Sequence, residues 1–243
     1  PSSAASDVYK RQYYAYAYTS LVGEGIIKAG DLVIYSVPCG NFGNLVGGVL
    51  AWRMGLPVDC FVVGVNSNDE FPRYLRTGKY QKIQPSRRCI SSAMNVGHPS
   101  NLARLVDLYG GHMDHTGRIH KQPDLEAMRR DFPSLSVDDE TCRNAIRKAW
   151  ETKKILLEPH GAVAWHALEV LNPHLNSACV KICLETAHPA KFPEEVSQQT
   201  GQEIPVPPQL KELQFREESF VVLPPNYNSF KSFLLEVASC ETR

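Results

Sequence analysis

The residues with the most chemical capacity lie between Val37 and Gly48, reading V-P-C-G-N-F-G-N-L-V-G-G, directly after the apolar run Leu32-Val33-Ile34-Tyr35-Ser36. A β-rich run that stops at Pro38, passes Gly40 and Gly43 and enters a small-residue helical pattern reads as strand, tight loop and helix N-terminus. Free amides at a helix start, the helix dipole and glycines that let the backbone come close would together hold a phosphate. Asn41 and Asn44 add side-chain donors and are able to cap the helix. An isolated G-x-x-G equally fits a turn that binds nothing. The stretch is not a Walker loop, because no Gly-Lys-Ser/Thr follows. Nor is it a dinucleotide fingerprint, which needs G-x-G-x-x-G.

A second stretch lies far downstream: Ile182-Cys183-Leu184-Glu185-Thr186-Ala187-His188-Pro189-Ala190-Lys191-Phe192-Pro193. Together with G-N-F-G-N-x-x-x-G, this T-A-H-P-A-K-F-P string closely resembles the threonine synthases, pyridoxal-phosphate (PLP) enzymes of the tryptophan synthase β-like fold. Further strings follow in the family's order, among them Met54-Gly55-Leu56-Pro57-Val58, Arg73-Tyr74-Leu75-Arg76-Thr77-Gly78, Pro99-Ser100-Asn101-Leu102 and Leu157-Glu158-Pro159-His160-Gly161. The matches run from about Tyr13 to about Glu194. The resemblance implies an α/β fold, the parallel three-layer sheet of the fold-type II PLP-dependent enzymes, with its N-terminal half missing. It implies PLP as cofactor and O-phosphohomoserine as the small-molecule substrate, converted with water to threonine and phosphate. By the same resemblance Gly40, Asn41, Phe42, Gly43 and Asn44 hold the cofactor phosphate, and the Thr186 hydroxyl meets the pyridine nitrogen. A neutral partner there does not force protonation of the ring, so it tunes the cofactor's electron demand. Taken without its surroundings, Thr186 would read as a helix N-cap.

No catalytic residue is assigned. The family carries the lysine that binds the cofactor covalently in a segment upstream of anything present here. Lys191 belongs to a different motif and reads as an exposed helical lysine. The expectation is therefore a fragment, inactive alone as a synthase. Two other readings remain: a threonine synthase-like phospho-lyase releasing a keto acid, or a non-catalytic phosphate- or nucleotide-binding module.

The elements that must position these groups follow from pattern and composition. At 243 residues, the chain is long enough for one large α/β domain or two small ones. Lysine plus arginine and aspartate plus glutamate both number 26, so no basic footprint for nucleic acid or an anionic membrane appears. No apolar run approaches the ~20 residues of a membrane span. The seven cysteines are odd in number and lack C-x-x-C pairs, which suits reduced thiols and a cytoplasmic location. Residues 1–12 match nothing in the family and read as a non-native, vector- or assembly-derived segment. Residues 13–204 read as the C-terminal part of the PLP-binding catalytic domain, and 205–243 as an extended segment and helix. The oligomeric state is not legible.

Within the main part, the spacing of Tyr14, Tyr18, Leu21, Val22 and Ile26 is helical and ends at Gly30, and a strand over Leu32 to Val37 follows. A helix Asn44 to Met54 and a strand Cys60 to Val65 complete a β-α-β unit, hence a parallel sheet. Asn66-Ser67-Asn68-Asp69 at that strand's end either line a site or cap the helix Glu70 to Arg76. The segment Gly110 to His120 holds His112, His115 and His120. Its spacing fits no zinc pattern, its glycines suggest a mobile loop, and no metal is assigned. Amphipathic helices are expected over Leu125–Arg130 and Asp138–Thr152. A helix over Val163–Leu171 is started by the turn Glu158-Pro159-His160-Gly161-Ala162, which the resemblance sets near the cofactor and which equally reads as a helix start fixed by Pro159. A strand Ala178 to Leu184 delivers Thr186. In the tail, Phe220 to Leu223 reads as a short strand and Ser229 to Ser239 as a helix with Phe230, Phe233, Leu234 and Val237 on one face.

Overall fold

The structure, a computed structural model, describes residues 2–240 and divides between Ile204 and Pro205 into two compact units. The first unit opens with helix α1 (Ser2–Gly23), longer at its start than the aromatic stripe indicated and ending at Gly23 rather than Gly30, so Ile26 lies in the following turn and is exposed instead of on the helix's apolar face. It continues with β1 (Val33–Pro38), α2 (Gly43–Arg53), β2 (Val58–Val65), α3 (Glu70–Thr77), a 3-10 turn Ser92–Met94 and α4 (Leu102–Leu108). Then come β3 (His112–Met113), β4 (Ile119–Lys121), α5 (Leu125–Asp131), β5 (Ser134–Ser136), α6 (Asp139–Lys153), α7 (Pro159–Leu171), β6 (Val180–Cys183) and α8 (Pro193–Thr200).

Four parallel strands form the sheet in the order β5-β2-β1-β6. Every residue of β1 is buried, as expected when helices cover both faces. The pleat decides which helix each side chain meets. Val33, Tyr35, Val37, Phe61 and Val63 join α1 and α2 in one core, where the Tyr14 ring stands edge-on to Tyr35 at 4.9 Å. Ile34, Cys60 and Val62 face the other way, onto Ala167 of α7. The result is three layers: helices, sheet, helices.

Two glycines let the layers approach. A Cβ on Gly48 would lie 2.6 Å from the Tyr14 ring, and one on Gly64 would lie 3.0 Å from the Val163 carbonyl oxygen. Ser36, fully buried, donates its hydroxyl to the Ala164 carbonyl at 2.7 Å and ties the middle of β1 to α7. Because Ser36 faces a helix rather than the cavity, its hydroxyl serves packing only.

Several local expectations need correction. Gly110 to His120 is a two-stranded antiparallel hairpin, not an open loop. Asp114 staples it, accepting from Thr116, Arg118 and His120. Among the described residues no group of three or more His, Cys, Asp or Glu is arranged to hold a metal ion. Strand β5 was too short to show a period. Helix α7 starts at Pro159, so the turn read as preceding it is its first turn. No helix among the described residues is long and apolar enough to cross a membrane.

The second unit contains α9 (Pro208–Lys211), a 3-10 turn Glu212–Phe215 and α10 (Tyr227–Cys240). Phe220 to Leu223 is extended but pairs with no strand, so it forms no ladder. Leu223, Phe233 and Val237 line a shallow depression of this unit.

Candidate functional site

The site lies at the carboxyl end of the sheet, where β1 has β2 on one side and β6 on the other. Loops leaving β1 and β6 diverge there and leave a crevice, the usual place for a ligand in an open parallel sheet. The cavity has a volume of about 530 Å³, within the range of small-molecule sites. Gly40, Asn41, Phe42, Gly43 and Asn44 line it from the β1 side and Thr186 from the β6 side, so the fold brings all six sequence-expected residues together.

The loop between β1 and α2 is held from both ends. Cys39 N–H continues the β2 pairing by donating to the Gly64 carbonyl at 2.8 Å. Phe42 then adopts left-handed backbone angles (φ 62°), uncommon outside glycine and costing on the order of 1 kcal/mol. Its ring, 1% exposed, packs edge-on against Phe71 at 4.8 Å, which holds that conformation in place. Gly40 is a glycine because of its neighbour rather than its ligand. A Cβ there would come within 2.7 Å of the Met94 Cα and 3.0 Å of the Ala93 carbonyl oxygen.

Neither asparagine caps α2, contrary to the sequence expectation: the N-cap position is Phe42, and no side chain bonds to the first-turn amides. Asn41 instead accepts from the Ser100 amide at 2.6 Å and its hydroxyl at 3.0 Å, while its carbonyl accepts from Asn101 Nδ2. A backbone amide only donates, so the Asn41 oxygen is fixed and its NH2 has no partner among the described residues. Asn44 accepts at Oδ1 from the Tyr14 hydroxyl at 3.2 Å, which likewise leaves its NH2 available. Burial pushes the Tyr14 phenol up, so it stays a donor. The amides of Gly43, Asn44 and Leu45 precede the first intrahelical bond and have no partner within α2. No acidic residue occupies the first turn. This is a donor set without a competing negative charge, and its chemistry fits a phosphate.

The opposite wall includes His160, from the turn that the resemblance set near the cofactor without assigning a role, and residues that the sequence did not point to. Ala93 and Met94 line the cavity with His160, Leu184 and Glu185. His160 is oriented at both nitrogens. Nδ1 sits 2.5 Å from Glu158 Oε2, and Nε2 accepts from the Ala93 amide at 3.1 Å. Because that amide can only donate, Nδ1 carries the proton and gives it to Glu158. Glu158 is fully buried and caps α7, accepting also from the amides of His160 and Gly161 at 2.9 Å each. Its own amide donates to Glu185 Oε1 at 2.9 Å. A Cβ on Gly161 would overlap the Glu185 carboxylate, so glycine is required at that position. Burial, with the Glu158 charge adding to it and the Glu158 amide opposing it, pushes the Glu185 carboxyl up to about 8. The residue is solvent-exposed, so water screens much of that push.

Asn66 and Asn68 neither line the cavity nor cap α3. Asn66 donates to Ser91 and Asn95, and Asn68 exchanges hydrogen bonds with Arg87. They hold the segment that carries Ala93 and Met94. Asp69, the N-cap position, makes no capping bond and lies beside Arg73 and Arg87 instead. Lys191 is exposed, on a 3-10 turn outside the cavity lining. The only local sign of this wall was the run Glu158-Pro159-His160, an acidic cap before a helix-starting proline.

Comparisons with known proteins bear on the family and the fold. A family model described as pyridoxal-phosphate dependent enzyme matches residues 7–184, and one described as threonine synthase, C-terminal, matches residues 161–234. The chain is 35% identical over 224 residues to the threonine synthase of Buchnera aphidicola subsp. Schizaphis graminum, covering 92% of this chain and 47% of the relative. To that of Escherichia coli it is 36% identical over 180 residues, covering 74% and 38%. A solved PLP-bound threonine synthase from Brucella melitensis superposes with a TM-score of 0.75 at 29% identity, over 88% of this chain and 47% of that one. The Escherichia coli threonine synthase structure gives a TM-score of 0.70 at 31% identity, over 85% and 44%. The chain spans a little under half the length of these relatives.

Proposed function

We propose, from the premise that this chain belongs to the pyridoxal-phosphate dependent enzyme family, that it carries the phosphate-holding and ring-facing part of a threonine synthase site. One observation carries the reading: Gly43 and Asn44, whose amides have no partner within α2, and Asn41 line one crevice with Thr186, and the side-chain oxygens of both asparagines are already engaged elsewhere.

In this reading the amides of Gly43, Asn44 and Leu45, with Asn41 and Asn44, bind the cofactor phosphate at the positive end of α2. Phe42 keeps the loop preformed, so its amides need no rearrangement on binding. Thr186 makes no hydrogen bond to another described residue, and its hydroxyl is available to the ring nitrogen. His160 holds Ala93 and Met94 as a wall over Gly40 and excludes water from that side. PLP, when bound, supplies an electron sink for carbanions formed on the amino-acid substrate. The remaining groups, including a lysine for covalent attachment, belong to the part of the relatives that this chain does not span. The reaction proposed for the whole protein is conversion of O-phosphohomoserine and water to threonine and phosphate, and the chain alone does not turn over.

The test is titration of the purified chain with PLP, followed by tryptophan fluorescence, with inorganic phosphate as competitor. Saturable binding that phosphate reverses and Gly43→Leu abolishes is expected. Absence of saturable binding, or turnover by the chain alone, overturns the corresponding part of the reading. Product analysis of the full-length protein with O-phosphohomoserine separates threonine formation from release of a keto acid.

A further inference from the structure

Asn101 does not line the cavity, yet its side chain serves the loop that does. It is 4% exposed and occupies the N-cap position of α4, where an asparagine ordinarily accepts from a first-turn amide. It makes no such bond. Its Nδ2 instead reaches 60 residues back along the chain and donates to the Asn41 carbonyl at 2.8 Å. Beside it, the Ser100 amide and hydroxyl take Asn41 Oδ1 at 2.6 and 3.0 Å. Both acceptors of Asn41 are thus occupied by donors from two consecutive residues.

The bond to the carbonyl acts on the neighbouring donor as well. The C=O and N–H of a trans peptide point in opposite directions, so holding the Asn41 carbonyl also fixes the Phe42 N–H, directed away from Asn101. That N–H donates to no described residue. Phe42 is left-handed and Gly43 begins the helix, a succession that turns neighbouring amides to one concave side. The peptide has a second orientation. Rotating it about the line between its two Cα atoms leaves the Phe42 ring on Phe71 and returns Phe42 to a negative φ, which a non-glycine residue prefers. It would also set a carbonyl oxygen where the N–H now is, and that oxygen would repel a phosphate. The Asn101 hydrogen bond opposes this rotation.

We propose that Asn101 is a positioning residue for the phosphate loop: through the Asn41 carbonyl it holds the peptide between Asn41 and Phe42 with its N–H toward a phosphate-bearing ligand in the cavity. The inference rests on the cofactor reading above and adds the Phe42 amide to the donors named there. Asn101 touches no ligand itself, so the identity of this side chain is explained by the loop it holds and not by the helix it begins.

The test compares the unsubstituted chain with Asn101→Leu, which keeps the bulk of the side chain and removes its donor. PLP affinity, followed by tryptophan fluorescence, is expected to fall about tenfold. Nitrogen-15 NMR with inorganic phosphate as the probe then locates the effect. In the unsubstituted chain phosphate should shift the Phe42 amide together with those of Gly43 and Asn44, and in Asn101→Leu the Phe42 response should be lost. A purely structural role for Asn101 would leave the Phe42 response in place in the variant, and that result overturns the proposal, as does unchanged PLP affinity. Should Asn101→Leu fail to fold, the unsubstituted chain decides alone: phosphate that shifts Gly43 and Asn44 but not Phe42 refutes the assignment and spares the cofactor reading. If the unsubstituted chain binds neither phosphate nor PLP, the cofactor reading fails and takes this proposal with it.

Discussion

Glu70 offers the sharpest test of how burial acts on charge in this fold. It is 1% exposed at the first position of α3, and neither carboxylate oxygen has a hydrogen-bond partner of good geometry among the described residues. Burial pushes its carboxyl from 4.5 up to about 7. The Asp69 charge adds to that, while its own amide, Arg73 and Arg87 oppose it. A group raised in the folded state binds its proton more tightly there than in the unfolded chain. Stability is therefore undiminished below about pH 4.5, falls as pH rises toward 7, and is lowest above that. At about 1.4 kcal/mol per pH unit, the shift amounts to on the order of 3 kcal/mol. Glu70→Gln keeps the shape and removes the charge. Urea unfolding of both proteins from pH 4 to 9 should give a stability difference that rises in favour of the glutamine by about 3 kcal/mol between pH 4.5 and 8 and then levels off. An amide left without partners lowers the whole curve without changing its form. A difference that stays flat from pH 4.5 to 8.5 would show that water or a cation reaches the carboxylate, and the argument from burial would be wrong.

Three other outcomes follow from the packing. Gly48→Ala pushes a methyl into Tyr14 and Phe61, which would lie 2.6 and 2.8 Å away, and should cost about 1–3 kcal/mol in urea unfolding. Ser36→Ala leaves the buried Ala164 carbonyl without its hydroxyl donor and should cost about 1 kcal/mol, with the fold retained by circular dichroism. Glu158→Ala strands the amides of His160 and Gly161 and the His160 ring proton, so a loss of roughly 2–4 kcal/mol is expected. It should also weaken PLP affinity, because Ala93 loses its fixed acceptor. Unchanged stability in Glu158→Ala would mean that the cap contributes nothing.

The sheet and the β1–α2 loop were legible because their signals are local. Pro38, Gly40 and Gly43 punctuate the chain within a few residues, and β1 and β2 are apolar but for Ser36 and Asp59. Of the wall opposite, only the Glu158-Pro159-His160 turn was set near the cofactor, by resemblance; its pairings were not legible, because they join residues far apart in sequence. Ala93 meets His160, and Glu158 meets Glu185. No spacing within either segment announces these pairings. The asparagine caps failed for a related reason. Asn41 has the right type to cap α2 but stands one residue before the N-cap position, and its side-chain oxygen takes the two donors of Ser100 instead. The hairpin at His112–Lys121 was misread because its pairing depends on Asp114 collecting several donors, which outweighs the flexibility its glycines suggest.

The register between β1 and β6 has a consequence for insertions and deletions. The two strands pair from Val33 with Val180 to Ser36 with Cys183, and Leu184 still donates to the Ser36 carbonyl at 2.9 Å. Strand β6 therefore acts as a ruler whose last mark places Glu185 and Thr186. Exchanging Val180 or Ile182 for another branched side chain leaves the ruler's length unchanged. Deleting a single residue from it slides the chain by one step, sets Thr186 where Glu185 now stands, and turns each following side chain to the opposite face. A library of single-residue deletions should thus be far less tolerated across Val180–Cys183 than in the turn before it, even where every deleted side chain is small.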